Sequence, residues 1–164
     1  FFIDLYTIFS KYHFRTIINI DINTSFMTQN NEIVNKLRFS KLRPTKQRIR
    51  IAEFLFKREK TFHFTVEKLN KIISKKDNVE KISLATIYNT IDAFKKAGYV
   101  KEILTNNNTS YFDTNVSSHH HFYDDETNEL TDINNNEIEV AKMPHAPKGK
   151  KIKDVEVIIS LQKQ

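Results

Sequence analysis

The spacing of hydrophobic residues in the first two thirds of the chain predicts a series of short amphipathic helices. The most regular example has apolar residues at steps of three, four and three positions: Leu84, Ile87, Ile91 and Phe94. These residues form one face of a helix. Ser83 precedes them and can act as the N-cap, and Gly98 can adopt the left-handed conformation that ends a helix. We therefore predict a helix between these two residues.

Three further helices are predicted before this one, at about residues 32–38, 46–57 and 65–74. A break separates the first two, because Pro44 disfavours helical geometry at Arg43. Thr45 can then cap the helix that follows. The first part of the chain is therefore predicted to be mostly helical.

After Gly98 the hydrophobic period changes from helical to strand-like. Residues 99–105 and 109–113 are predicted as two strands, joined by an Asn106–Asn108 turn that tolerates positive φ. Helices followed by a β-hairpin occur in this order in a winged helix-turn-helix. We predict an α+β protein, with a winged helix-turn-helix DNA-binding domain at 27–108 and a small α/β dimerisation domain at 109–164.

The remaining part of the chain is predicted to contain short strands around 122–123 and 130–133, a helix at about 135–142 and a last strand. In that strand, apolar residues alternate with other residues, as one buried face requires: Val155, Val157, Ile159 and Leu161. A segment of this length makes a small core on its own. Burial in a homodimer would enlarge that core.

Residues 1–26 are rich in Phe, Ile and Tyr, but charged residues interrupt every apolar run. They contain neither a membrane span nor the features of a signal peptide. Met27 begins a polar stretch typical of an N-terminus, so we expect residues 1–26 to be a non-native or dispensable extension. The alternative is a genuine amphipathic helix.

Charge divides the chain in two, within a formal net charge of +6. Residues 36–60 hold ten Lys or Arg against two acidic residues, whereas residues 113–145 hold eight acidic residues against Lys142 alone. A basic stretch beside a predicted DNA-reading fold indicates a nucleic-acid partner, although such a run can also be a solvated face. We expect double-stranded DNA to be contacted by residues from the basic run and from the exposed helix face: Arg43, Lys46, Arg48, Thr86, Tyr88 and Asn89.

A cluster of histidines provides the candidate chemistry. His119, His120 and His121 enter a predicted strand, so the first and third should point to one side and the second to the other. His63, near Phe62 and Phe64, could approach them. With carboxylates nearby and no Cys in the chain, imidazole and carboxylate ligands indicate Fe, Mn, Zn or Co. The alternative is three solvated histidines and one packed among phenylalanines.

Several motifs together resemble the ferric uptake regulator family of metal-responsive repressors. They are the LRPTKQR segment at 42–48, HFTVE at 63–67, LATIYN at 84–89, YFD at 111–113 and the triple His. Within the family the chain is most similar to the iron response regulator branch, whose members respond to haem. This resemblance implies iron homeostasis as the role and residues 30–164 as the related part.

The resemblance also implies two metal sites. One would use His63, Asp113 and His120, and the other would use His119, His121, Glu139 and Asp154. A shift of one residue in the loop 114–118 would reassign the histidines. If haem were the ligand instead of a divalent metal, His119 or His121 would bind its iron, and Phe122 and Tyr123 would pack on the macrocycle.

The sequence thus favours a cytoplasmic, homodimeric, iron-responsive repressor without a membrane partner. A metal-dependent hydrolytic or redox enzyme that uses the His/Asp cluster is the alternative. No nucleophile motif supports it, and two Gly leave little scope for a phosphate loop. An RNA-binding or architectural basic protein is a third class, but it would not need the acidic, His-rich half.

Overall fold

A computed structural model describes residues 32–75 and 80–163 and divides the chain into two compact units, the first ending at Glu53 and the second beginning at Phe54. The prediction for residues 1–26 lies outside the described residues. The predicted boundary between 108 and 109 falls inside the second unit, and the division into domains stays a prediction. Within the described ranges, no helix has the length and apolar character needed to cross a membrane.

The first unit contains helix α1, described over residues 32–39, and the start of helix α2, Lys46–Phe56. Ile33 and Leu37 are buried on α1, and Ile51 and Ala52 are buried on α2. The hydroxyl of Thr45 accepts a hydrogen bond of 3.2 Å from the Arg48 backbone N–H, which caps α2 as predicted. The two helix predictions are confirmed to within one residue at their C-terminal ends.

Two packed helices open the second unit after the end of α2. Helix α3, Val66–Ser74, is capped by the Thr65 side chain, and helix α4, Leu84–Lys96, is capped by Ser83. Gly98 has a φ of 72° and follows the end of α4, as the sequence predicts. The residues that the two helices bury recur at helical spacing: Val66, Leu69, Ile73, Ile87, Ile91 and Phe94.

The first sheet joins a short strand before α3 to the hairpin after α4. Strands β1 (His63–Phe64), β2 (Lys101–Leu104) and β3 (Ser110–Asp113) are antiparallel in the order β1-β3-β2. The hairpin turn includes Asn108 at a φ of 59°, so the predicted turn is confirmed. The register places Asp113 between His63 on one side and Lys101 on the other.

The second sheet contains strands β4 (His120–Asp124), β5 (Glu129–Ile133) and β6 (Ile158–Leu161), in the order β5-β4-β6. Strand β4 is antiparallel to β5 and parallel to β6. A core cluster draws residues from both sheets: Ile103, Tyr111, Tyr123 and Leu130, with Ile158 packed against them. The two sheets of this unit therefore share apolar contacts.

Hydrogen bonds also tie the hairpin turn to the second sheet. The Asn107 side-chain amide donates to the Tyr123 hydroxyl at 2.8 Å, and that hydroxyl donates to the Asn128 side chain at 3.0 Å. The Tyr111 hydroxyl donates to the Asn128 backbone carbonyl at 3.0 Å. Both buried tyrosines thus satisfy their polar ends through Asn128.

The predicted helix at 135–142 is wrong. Only a 3-10 turn forms, Asn135–Glu137. The Asn134 side chain caps its start at Asn136, and the backbone is already extended at Ile138. Val140 and Met143 remain 43% and 41% exposed, so no apolar face is available to stabilise a longer helix.

The last strand is confirmed but is shorter than predicted, and it begins at Ile158. Val155 and Val157 are half-buried, whereas Ile159 and Leu161 are 38% and 42% exposed in the single chain. Ile158 packs on the core instead. The predicted buried face is therefore wrong for the second half of this strand within one chain, because the core lies on the opposite face.

Candidate metal centre

Five side chains meet in the second unit with their ligand atoms within 4.8 Å of one another: His63, Asp113, His119, His121 and Asp132. The Nε2 atoms of the three histidines surround one oxygen from each aspartate. The Asp113 Oδ2 lies 3.0 Å from His119 Nε2, and the Asp132 Oδ1 lies 2.8 Å from His63 Nε2. His121 Nε2 is 3.7 Å from both oxygens. We call this group the His/Asp cluster.

Strand register explains why these residues meet. His63 in β1 lies opposite Asp113 in β3, and His121 in β4 lies opposite Asp132 in β5. His119, two residues before His121, shares its side of the chain. The His/Asp cluster is therefore assembled from both sheets, and the short loop 114–118 joins them.

The atoms at the centre are buried but have no well-directed hydrogen bond among the described residues: His63 Nε2, Asp113 Oδ2, His119 Nε2, His121 Nε2 and Asp132 Oδ1. Buried polar atoms are normally satisfied, so five unsatisfied ones converging on a point need an explanation. A cation bound between them would satisfy all five. The residues present therefore fit a metal ion.

Outer hydrogen bonds orient several of these side chains toward the centre. The Asn115 backbone N–H donates to the other oxygen of Asp113 at 2.8 Å, and the Thr61 hydroxyl donates to the other oxygen of Asp132 at 3.1 Å. His119 Nδ1 lies 2.9 Å from the Ser117 carbonyl. Since a carbonyl only accepts, Nδ1 carries the proton and Nε2 presents its lone pair, as metal binding requires.

The charges in the cluster shift two pKa values in opposite directions. Burial lowers the pKa of His63, but the adjacent carboxylates Asp113 and Asp132 outweigh burial and raise it above 6.5. Burial raises the pKa of Asp113, but His121, His63 and the Asn115 N–H outweigh it and hold that pKa well below its usual range. Asp113 is therefore ionised at neutral pH, and its negative charge suits a cation.

The donor set defines which ions suit the site. Three imidazole nitrogens and two carboxylate oxygens favour borderline divalent ions such as Fe, Mn, Zn or Co. The chain has no Cys, so no thiolate competes. The predicted ligand types thus agree with the geometry.

Three residues predicted as metal ligands lie outside the His/Asp cluster. His120 points away from it, as the strand alternation predicts, and its Nδ1 lies 3.2 Å from the Val157 backbone N–H. Glu139 is exposed in the segment that was predicted to be helical. Asp154 accepts a hydrogen bond from Ser118 at 2.6 Å and contacts Lys101 at 3.1 Å, and these contacts lower its pKa to about 2.

The predicted division into two sites is therefore not what the structure has. His63 and Asp113 meet His119 and His121, not His120, because successive side chains of an extended strand point to opposite sides. The sequence left the pairing of these histidines open.

Asp132 belongs to the cluster, but it is not among the ligands that the sequence predicts. It lies within a stretch predicted only as a strand, and its sequence distance from the histidines gives no direct signal. A signal exists in the pattern: Asp132 shares its strand face with the buried Leu130, and an acidic residue there needs a partner. Only the folded structure shows that its partners are His63, His119 and His121.

The predicted haem contacts do not fit the described structure. His119 is 5% exposed, and His121 and Tyr123 are fully buried. A porphyrin could reach these histidines only after the strands had separated, and Tyr123 is already part of the core. A small ion requires no such opening.

The predicted DNA-contacting residues occupy two segments of the chain, helix α4 and residues 43–48. On α4, Asn89 is exposed and Tyr88 is 47% exposed, with its hydroxyl donating to Glu67 of α3. Thr86 is half-buried, and its hydroxyl lies 2.9 Å from that of Ser83.

In the first unit, Arg43 and Lys46 are exposed, and Arg48 donates to the Arg43 carbonyl at 2.8 Å. The exposed members of the predicted set are therefore open to a partner.

Short helices, two small sheets and a buried His/Asp cluster define a mixed α and β protein with a candidate metal centre. The sequence profile of the Ferric uptake regulator family matches residues 40–160. The chain therefore belongs to the ferric uptake regulator family, as the motifs predict.

Individual relatives agree with this assignment. The chain is 31% identical over 102 residues to the peroxide-responsive repressor PerR of Staphylococcus epidermidis, an alignment that covers 62% of this chain and 65% of that protein. The aligned part is thus slightly less than two thirds of the relative.

Solved structures show the same fold. The Vibrio cholerae ferric uptake regulator gives a TM-score of 0.64 at 23% identity, covering 79% of this chain and 98% of that one. The Pseudomonas aeruginosa regulator, solved with manganese, gives 0.59 at 24% identity, covering 79% and 96%. At these identities the likeness establishes the fold.

Proposed function

We propose that this protein is a metal-responsive, DNA-binding transcription regulator that represses genes of iron or peroxide homeostasis. The observation that carries the proposal is the His/Asp cluster, in which five buried ligand atoms converge without other partners. Membership of the ferric uptake regulator family supports a regulator over the metal-dependent enzyme of the sequence analysis.

DNA binding is proposed for the three-helix segment and the hairpin, acting together as a winged helix-turn-helix. Helix α4 would enter the major groove, with Tyr88, Asn89 and Thr86 facing DNA. Its exposed face and its terminal Lys95 and Lys96 support this role. Arg43, Lys46 and Arg48 would contact phosphates.

The positions of the cluster residues suggest how metal and DNA binding are coupled. His63 lies two residues before the Thr65 cap of α3, and Asp113 ends the hairpin. The other three members belong to the second sheet and the residue before it. When bound, a divalent cation supplies positive charge and directional bonds to all five side chains.

These side chains would then hold the two sheets in one arrangement, with the loop 114–118 as the hinge. Metal-free protein would sample other arrangements, so occupancy would shift the population toward the DNA-binding one.

We further propose that the protein acts as a cytoplasmic homodimer. The exposed Ile159 and Leu161 of β6 support a second chain covering this face. Two α4 helices related by a two-fold axis would read half-sites about 34–36 Å apart or a related spacing. Sedimentation equilibrium should give a dimer, and a concentration-independent monomer would contradict it.

Two signals to which the regulator could respond are proposed. The iron response regulator branch remains a prediction from the motifs, but burial of His119 and His121 argues against haem as the direct ligand. The Staphylococcus epidermidis relative is named for its response to peroxide. Peroxide is therefore the second signal to test.

The decisive experiment measures DNA binding by the full chain to duplexes selected from a random pool. Binding is compared without metal, with Mn²⁺, with anaerobic Fe²⁺, with haem, and with Fe²⁺ followed by hydrogen peroxide. We expect Mn²⁺ and Fe²⁺ to strengthen sequence-selective binding, and salt to weaken it. Peroxide-responsive repression predicts loss of binding only in the Fe²⁺ sample.

His121→Ala should abolish the effect of Mn²⁺ on DNA binding, because it removes a fully buried ligand. His145→Ala is the matched control, since His145 is exposed and lies outside the His/Asp cluster. An unchanged response in His121→Ala, or selective DNA binding that ignores every metal, would overturn the proposed function.

A further inference from the structure

His121 is held on both sides of its ring. Its Nε2 faces the His/Asp cluster, while its Nδ1 lies 3.0 Å from the Glu156 Oε1. The Nδ1 and Oε1 atoms are both buried, and neither makes a well-aligned hydrogen bond with any described residue. Because the imidazole ring stands between Glu156 and the cluster, Glu156 cannot reach the ion that the five ligands would hold.

The Glu156 carboxylate is itself held from its other end. The Lys101 Nζ lies 3.3 Å from the Glu156 Oε2 and 3.1 Å from an oxygen of Asp154. Lys101 is on β2 directly opposite Asp113, a member of the cluster. Lys101 and Glu156 are 20% and 21% exposed, so both partners are largely shielded from water.

The backbone supports this placement. The His121 N–H donates to the Val157 carbonyl at 3.0 Å, and the Val157 N–H lies 3.2 Å from the His120 Nδ1. The segment that carries Glu156 is therefore anchored to β4 at the next residue, Val157. These two hydrogen bonds, together with charge, bring the Glu156 carboxylate to His121.

We propose that Glu156 is a positioning residue of the metal centre: it holds the proton on His121 Nδ1, which aims Nε2 at the metal, while Lys101 holds the carboxylate. The inference rests on the proposed metal binding and adds a residue outside the five ligands. A carboxylate behind a metal-bound imidazole fixes the ring and makes it a stronger donor. The chain from Asp113 through Lys101 and Glu156 to His121 would thus couple β2 to the second sheet.

The test titrates the full-length protein with Mn²⁺ and compares three variants. Glu156→Met should weaken Mn²⁺ binding by about 10–100-fold, because it removes the acceptor. Glu156→Gln keeps an oxygen that can accept from Nδ1–H, so it should lose less. Glu126→Met is the matched control: it replaces an exposed glutamate outside the cluster and should bind like the wild type.

A nuclear magnetic resonance measurement separates positioning from a general structural role. In Zn²⁺-loaded wild-type protein, the His121 Nδ1 proton should give a slowly exchanging resonance. That resonance should persist in Glu156→Gln and disappear in Glu156→Met. Its absence from the wild type would overturn the inference even if the Met variant failed to fold.

The two proposals fail in different ways. If wild-type protein bound no Mn²⁺, the metal centre itself would be rejected, and this inference with it. If the wild type bound Mn²⁺ and a folded Glu156→Met variant bound it equally well, only the role of Glu156 would be rejected.

Discussion

At the scale of single residues, several side chains of the His/Asp cluster have one polar atom facing the centre and a second polar atom held by an outer hydrogen bond. Asp132 is the clearest case: Oδ1 contacts His63 and His119 at 2.8 and 3.3 Å, while Oδ2 accepts from Thr61. Replacing this carboxylate by an amide removes its negative charge from the ligand set. Asp132 is therefore the sharpest point at which to test the ligand set.

Asp132→Asn should weaken Mn²⁺ binding by at least about 100-fold, since loss of an outer partner alone costs 10–100-fold. The measurement is a competition titration against a chelating dye. Asp125→Asn provides the control, because Asp125 is an exposed aspartate in the turn after β4. Equal affinities for the two variants would remove Asp132 from the ligand set.

The proposed DNA contacts are of two kinds, base contacts and phosphate contacts, and single substitutions can distinguish them. Tyr88→Ala should weaken binding to the selected duplex by about 1–3 kcal/mol and relax its sequence preference, as expected if a base contact is lost. Lys46→Ala should weaken binding to all duplexes alike and make the salt dependence shallower.

Fluorescence anisotropy at several salt concentrations measures both effects. Tyr88→Phe is a further control, because it keeps the ring and loses only the hydroxyl that donates to Glu67. An identical footprint and salt slope in Tyr88→Ala and Lys46→Ala would contradict the assignment of α4 to DNA reading.

At the scale of elements, caps and turn residues explain which predictions are confirmed. Helices α3 and α4 begin where Thr65 and Ser83 cap them, and the hairpin turns at Asn108. These signals act locally, so the sequence contains them. The false helix at 135–142 also had a helical pattern, but it has no core to cover, and burial is a property of the whole fold.

The cap of α4 gives a direct stability prediction. Ser83→Ala should lower the free energy of unfolding by about 1 kcal/mol, because the Thr86 N–H loses its acceptor. The melting temperature should fall by about 2–4 °C. Ser83→Asn should stay close to wild type, since asparagine caps as well as serine. A Ser83→Ala variant that melts like wild type would show that the cap does not stabilise α4.

The sequence predicts the types of ligand in the metal centre better than it predicts which residues supply them. Its three histidines and Asp113 can be predicted, because histidines near acidic residues are a common pattern in metal sites. Asp132 and Glu156 cannot, because each meets His121 only through strand pairing between distant segments. Register is set by the packing of both sheets, and no local residue pattern records it.

At the scale of the whole molecule, the shared core of the two sheets makes the protein less stable at strongly alkaline pH. Tyr111 is buried in that core, and burial raises its pKa to about 12. An unfolded tyrosine ionises near pH 10, so the folded state binds its proton more tightly. The stabilisation is therefore fully present below pH 10 and is lost as pH rises through 12.

Urea unfolding between pH 9 and pH 11.5 should show this loss in the wild-type protein. The Tyr111→Phe variant serves as the reference, because phenylalanine cannot ionise. The difference in unfolding free energy between the wild type and this variant should narrow above pH 10. A difference that stays constant over this range would mean that Tyr111 ionises equally well in the folded state.

The alternation of β4 has a consequence for evolution and for engineering of this chain. Inserting or deleting one residue in the loop 114–118 leaves the alternation within His120–Asp124 unchanged, but the same change inside that strand does not. It would exchange His121 and Tyr123 for their neighbours, so that the cation ligand and the core aromatic would be lost together. The two positions are thus tied together: no one-residue shift of this strand can remove the His121 ligand and leave the core aromatic in place.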